Sequence, residues 1–123
     1  MVIWQIDDDP LHLELAAILL RRANPRSIIR SFENGQQAVD LLESEQPDLI
    51  MLDLNMPGMN GWDFLEHASS IKKLPPIVVL TSSIDPRDRS RAFDYKCVKD
   101  FLVKPVRMAD LIGLAIEPGS PGR

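Results

Sequence analysis

Asp48-Leu49-Ile50-Met51-Leu52-Asp53 is the stretch on which the fold turns. Four consecutive apolar residues without polar alternation do not suit a strand with one wet face. They suit a parallel strand covered by helices on both sides. The run follows Pro47 and ends on a carboxylate, Asp53.

Outward from this stretch the same unit recurs, a short apolar or β-branched run followed by a longer run of helical period. On the N-terminal side, residues 2–6 read as a strand, and Asp9-Pro10 supplies a helix cap and a first helical residue. The spacing of Leu11, Leu15, Ile18 and Leu19 predicts that these residues form the packed stripe of the first helix, which stops near Asn24-Pro25. Residues 27–32 form the second strand, and a helix carrying Ala38, Leu41 and Leu42 runs toward Pro47. On the C-terminal side a helix spans residues 61–68 and a fourth strand residues 76–81. Asp85-Pro86 starts a helix reaching about Lys96, residues 99–103 form a fifth strand, and Pro105 precedes a last helix whose packed face is Met108, Leu111, Ile112, Ala115 and Ile116. Val106 and Leu114 fall off that stripe and are expected in an exposed apolar patch. Residues 117–123 have linker composition, and no repeat or low-complexity tract is found.

The chain of 123 residues is 45% hydrophobic and 26% charged, the balance of a globular unit with a core. Net charge is −4 and the 14 basic residues are scattered, which argues against direct binding of a phosphate backbone. No apolar run approaches the roughly 20 residues of a membrane span, and the first residues carry no signal-peptide pattern. The lone Cys97 forms no internal disulfide or thiolate cluster, so a cytoplasmic location is expected.

In an open parallel sheet, ligands bind outside the carboxyl ends of the strands. Those ends carry Asp7 and Asp8, Asp53, Thr81 and Lys104. Each has an ordinary structural reading, as cap, strand end or solvated charge. Together, from four separate strand ends, they read as one site of three acids, a hydroxyl and an ammonium.

The motifs Ile6-Asp7-Asp8-Asp9-Pro10, Leu52-Asp53-Leu54-Asn55-Met56-Pro57-Gly58-Met59-Asn60-Gly61, Leu80-Thr81-Ser82-Ser83 and Lys104-Pro105 make the chain resemble a response-regulator receiver domain of two-component signalling, similar to the stand-alone chemotaxis regulator. The resemblance runs from Val2 to about Ile116. It implies an α/β fold, flavodoxin-like and doubly wound, with a five-stranded parallel sheet in the order 2-1-3-4-5. The receiver then occupies residues 1–117, with 118–123 a flexible tail or the start of a linker.

The same resemblance implies that Asp53 accepts a phosphoryl group from a histidine kinase or histidine phosphotransfer protein. A carboxylate nucleophile among other acids needs a cation before it can meet an anionic donor, and Mg²⁺ or Mn²⁺ suits oxygen ligands. By analogy Asp8 and Asp53 ligate it directly, Asp7 acts largely through metal-bound water, and Asn55 offers its backbone carbonyl. Lys104 neutralises phosphoryl oxygens, Thr81 hydrogen-bonds one of them, and Pro105 follows a cis peptide. Phe101 matches the aromatic that turns inward when Thr81 moves, with Ser82, Ser83 and Ile84 following. The output face is then the fourth helix, fifth strand and fifth helix, where Arg87, Arg91, Lys96, Phe101 and Met108 are candidate contacts. The protein is expected to be no enzyme beyond its own modification, and a monomer or weak dimer.

Three positions depart from the pattern. Cys97-Val98 stands where Gly-Ala is usual, Gln5 lies in a strand that should be apolar and must find partners for its amide, and the last helix lacks the charges of the DNA-binding subfamily's dimer. Three other readings compete. A flavin carrier would place a phosphate against Asp7-Asp8-Asp9, which repel it. An Asp-nucleophile phosphohydrolase would need a lid or second domain, and a non-phosphorylated interaction scaffold would leave the filled acceptor positions unexplained.

Overall fold

A computed structural model of the chain describes residues 1–56, 58–71, 73–82 and 85–114, with residues 112–114 described through their backbone. Ser83, Ile84, Ala115, Ile116, the tail from 118 and the side chains of Ile112 and Leu114 lie outside the described residues. Strands β1 (Val2–Ile6), β2 (Ile28–Phe32), β3 (Leu49–Asp53), β4 (Ile77–Thr81) and β5 (Val98–Val103) form one parallel sheet in the order β2-β1-β3-β4-β5. The connecting helices are α1 (Pro10–Ala23), α2 (Gly35–Leu42), α3 (Gly61–Ala68), α4 (Pro86–Phe93) and α5 (Met108–Leu114).

The central strands β3 and β4 are buried at every residue, as an unbroken apolar run demands of a strand with two dry faces. On one face Trp4, Ile6, Ile50, Leu52, Ile77, Val79 and Phe101 pack against Ala38, Leu42, Phe64, Leu65, Ala68 and Ala92 of α2, α3 and α4. On the other, Ile3, Leu49, Met51, Val78 and Leu80 meet Ala16, Leu20 and Leu111 of α1 and α5. Gln5 is buried and its amide donates to the Leu13 carbonyl at 2.7 Å and the Ser31 hydroxyl at 2.9 Å, so the polar residue in β1 ties the strand to α1 and β2.

The register of α1 corrects the expectation from spacing. Leu11, Leu15 and Ile18 are 76%, 44% and 45% exposed, Leu19 is half-buried, and the packed face is His12, Leu13, Ala16, Ala17 and Leu20. Two stripes of helical period coexist in this helix, and the start of the helix selects between them. Asp9 caps it by accepting from the Leu11 and His12 N–H groups, its own N–H donates to Asp7 Oδ1 at 2.9 Å, and His12 meets Asp7. These contacts turn residues 12, 13 and 16 toward the sheet, where the alanines permit close approach.

Two further expectations are corrected. Val106 is buried, in the same core cluster as Leu80 and Leu111, just ahead of α5. α4 ends at Phe93, short of Lys96, where Asp94 and Tyr95 close tight turns onto the Arg91 and Ala92 carbonyls. No residue other than glycine has positive φ among the described residues, so the turn before β5 is made without the left-handed glycine that Cys97 displaces.

Candidate functional site

The strand ends converge as the topology requires. Asp7 follows β1, Asp53 ends β3, Thr81 ends β4 and Lys104 follows β5. Asp7, Asp53 and Thr81 are buried, while Asp8 is exposed. Lys104 sits between two acids, its Nζ 2.8 Å from Asp7 Oδ2 and 3.1 Å from Asp53 Oδ2. The Lys104–Pro105 peptide is cis.

The loop after β3 is held close to Asp53. The Asn55 N–H donates to Asp53 Oδ1 at 3.0 Å, and its side-chain amide donates to the Thr81 hydroxyl at 3.2 Å. Gly61, the first residue of α3, approaches the backbone so nearly that a Cβ there would lie 2.5 Å from the Asp53 carbonyl oxygen and from Leu54 Cα. Any larger residue would displace the strand end that carries Asp53, which gives this glycine its place in the site.

The two buried acids are shifted in opposite directions. Burial pushes the Asp53 carboxyl up, and the neighbouring Asp7 charge adds to this; the Asn55 N–H and Lys104 only partly offset it, leaving Asp53 at about 6. Burial also pushes Asp7 up, but hydrogen bonds from His12, Lys104 and the Asp9 N–H outweigh it and hold Asp7 below the usual carboxylate range. Lys104 loses stability as a cation through burial, yet Asp7 and Asp53 more than restore it and its pKa is raised. The site is thus a buried anion pair bridged by one ammonium, with a third acid at its mouth.

Asp7, Asp8 and Asp53 can each offer an oxygen such that all three lie within 4.8 Å of one another. Hard oxygen donors in that compass fit a small divalent cation such as Mg²⁺ or Mn²⁺. Of the other residues expected at the site, Thr81 is joined to it through Asn55, and Ser82 is exposed on the adjoining loop. Phe101 lies inward, 7% exposed, with the Arg89 guanidinium 5.8 Å from the ring centroid. One neighbour of the site went unforeseen, His12, whose Nδ1 lies 2.7 Å from Asp7 Oδ2. The signal for it was the alternative stripe of α1, which places residue 12 on the packed face five positions after Asp7.

An open 2-1-3-4-5 parallel sheet with acids, a hydroxyl and a lysine at its carboxyl edge is the arrangement of a receiver-like α/β domain. The model of the response regulator receiver domain family matches residues 3–115, and the chain belongs to that family, the receiver of two-component systems. It is 33% identical over 121 residues to the positive alginate biosynthesis regulatory protein of Pseudomonas aeruginosa, covering 96% of this chain and 47% of that one. The chain spans between a quarter and a half of the curated relatives it matches first. Among solved structures it resembles a two-component response regulator from Cytophaga hutchinsonii, with TM-score 0.79, 28% identity and coverage of 93% and 95% of the two chains. It also resembles the phosphorylated cyanobacterial phytochrome response regulator, with TM-score 0.78, 25% identity and coverage of 93% and 87%. Among the described residues no helix is long and apolar enough to cross a membrane.

Proposed function

We propose that this receiver accepts a phosphoryl group on Asp53 from a phosphohistidine of a kinase or phosphotransfer protein, in a reaction dependent on a divalent ion. The observation that carries the reading is the Lys104 ammonium shared between Asp7 and Asp53, which places a cation beside a buried carboxylate at the end of the central strand β3. In the transfer an Asp53 oxygen bonds to phosphorus while the phosphorus–nitrogen bond of the donor breaks, its electron pair returning to the imidazole. Asp7, Asp8, Asp53 and the Asn55 carbonyl would hold Mg²⁺, which supplies charge neutralisation for the phosphoryl oxygens. Lys104 moves onto one of those oxygens, and Thr81 gives up its bond from Asn55 to donate to another. The resulting shift reaches partners through α4, β5 and α5. The chain acts by binding and catalyses only its own modification, and its location is the cytoplasm.

Acetyl phosphate with Mg²⁺, followed by borohydride trapping and peptide mass spectrometry, tests this directly. Label is expected at Asp53 alone, and none in Asp53→Asn. Label on Asp7 or Asp8 in the unaltered chain, or equal labelling without a divalent ion, would overturn the assignment.

A further inference from the structure

The first turn of α1 brings an imidazole into the acidic corner. The His12 side chain is 8% exposed, and its Nδ1 stands 2.7 Å from Asp7 Oδ2. A carboxylate oxygen accepts, so Nδ1 carries the proton and donates. The other ring nitrogen, Nε2, is buried with no hydrogen-bond partner among the described residues. On the packed face of α1, which also carries Leu13 and Ala16, an apolar side chain would leave no polar atom dry. Packing alone therefore does not account for a histidine here, and what it adds must lie at Nδ1.

Asp7 has three donors, and they are not equivalent. The Asp9 N–H holds Oδ1 at 2.9 Å, while His12 and Lys104 share Oδ2 at 2.7 and 2.8 Å. Lys104 is divided between Asp7 and Asp53, and it is the group that must follow an incoming anion. His12 belongs to a helix anchored at its start by the Asp9 cap and by the Gln5 amide on the Leu13 carbonyl, and among the described residues its ring bonds only Asp7.

We propose that His12 is a positioning residue of the acceptor site, holding the Asp7 carboxylate turned toward Asp8 and Asp53 and keeping it there when Lys104 departs for a phosphoryl group. The proposal rests on the reading of Asp53 as a metal-dependent acceptor. Asp7 fixed in this way stays available to a divalent ion at the step where its second side-chain donor is withdrawn. Donors of this kind, bonded to a metal-site residue rather than to the metal, set the affinity of the site by orienting the ligand.

Calorimetric titration of Mg²⁺ into the whole chain, its His12→Leu and His12→Asn variants, and the same set in a Lys104→Ala background tests the assignment. His12→Leu suits the apolar packing and removes the donor, and is expected to weaken Mg²⁺ about tenfold. His12→Asn sets an amide N–H close to the place of Nδ1 and should restore affinity close to that of the unaltered chain. With Lys104 absent the loss from His12→Leu should be larger, because no other side chain then holds Oδ2. Unaltered affinity in His12→Leu, an Asn variant no better than Leu, or an equal loss in both backgrounds overturns the inference and leaves the acceptor reading intact. An unaltered chain that takes up no Mg²⁺ overturns both.

Discussion

Asp53 carries its charge against its surroundings, and that conflict is measurable without any phosphodonor. Its pKa is raised from 3.8 to about 6 in the folded chain, chiefly by burial. Between these values the native state holds a proton that the unfolded chain has released, so stability falls as pH rises from about 4 to about 6 and stays low above. Asp7 has the opposite sign: its depressed pKa contributes stability above about 4 that is lost in more acid solution. From pH 5 to 7 Asp53 governs, and the metal-free chain should lose on the order of 1 kcal/mol there. Thermal melts at the two pH values should show most of that difference vanish in Asp53→Asn, and an undiminished difference in that variant would mean the carboxyl is not the source. A second residue-scale prediction concerns Asn55, whose amide holds the Thr81 hydroxyl at 3.2 Å. A neutral hydrogen bond of this kind is worth about 0.5–1.5 kcal/mol, so Asn55→Ala, which keeps the backbone carbonyl, should tighten beryllofluoride binding roughly two- to tenfold by releasing Thr81. A titration followed by NMR that shows weaker or unchanged binding would exclude Asn55 as a restraint on Thr81.

At the scale of elements, what could be read in advance depended on how many solutions a pattern allowed. Leu49-Ile50-Met51-Leu52 admits one reading, a strand dry on both faces, and β3 is buried throughout. Asp7, Asp53, Thr81 and Lys104 were legible as a group because strand ends are fixed by the topology whatever the side chains pack against. α1 allowed two stripes, and the more apolar one, Leu11-Leu15-Ile18, lies outward because the Asp9 cap and the bonds at Asp7 and Gln5 set the rotation of the helix. His12 was hidden by the same ambiguity, since its role exists only in the register the alanines define. The contrast is testable within one helix. Leu20→Ala removes a fully buried side chain and should cost about 2–5 kcal/mol, whereas Leu15→Ala, half in solvent, should cost under about 1 kcal/mol. Urea melts giving equal losses would mean that the helix is rotated from the position found. The end of α4 was missed for a related reason, because the turns at Asp94 and Tyr95 depend on contacts made across to α3, including the Tyr95 hydroxyl on Glu66.

Across the whole molecule, the acceptor edge is coupled unequally to its two sides. Lys104 and Thr81 are joined through the backbone, the Lys104 N–H donating to the Thr81 carbonyl at 2.8 Å, and β4 pairs β5 directly beneath them. If Asp53 is the acceptor as proposed, a phosphoryl group there that draws both side chains is expected to displace the β4–β5 end of the sheet, while β2 lies at the far edge, beyond β1 and β3. α4 is the element placed to respond, since Ala92 is its only buried residue and it is held largely by side chains: Arg89 over Phe101, Arg91 over the Trp62 ring at 4.0 Å, and Tyr95, just past its end, on Glu66. Elements with few buried contacts open at low cost and are the ones a ligand repositions. The charge-assisted bond from Thr81 to a phosphoryl oxygen, worth about 1.5–3 kcal/mol, can shift a two-state α4 by roughly ten- to a hundredfold. With Phe101 already inside, the change should be read in α4 and its arginines rather than in the burial of that ring. Hydrogen exchange with Mg²⁺ and beryllofluoride should alter α4 and β5 and leave α2 and β2 unchanged, and Thr81→Ala should abolish the α4 response while still binding the mimic at Asp53. Perturbation restricted to the loops around Asp53, or strongest in α1, would move the output to the exposed Leu11-Leu15-Ile18 face and away from α4, β5 and α5.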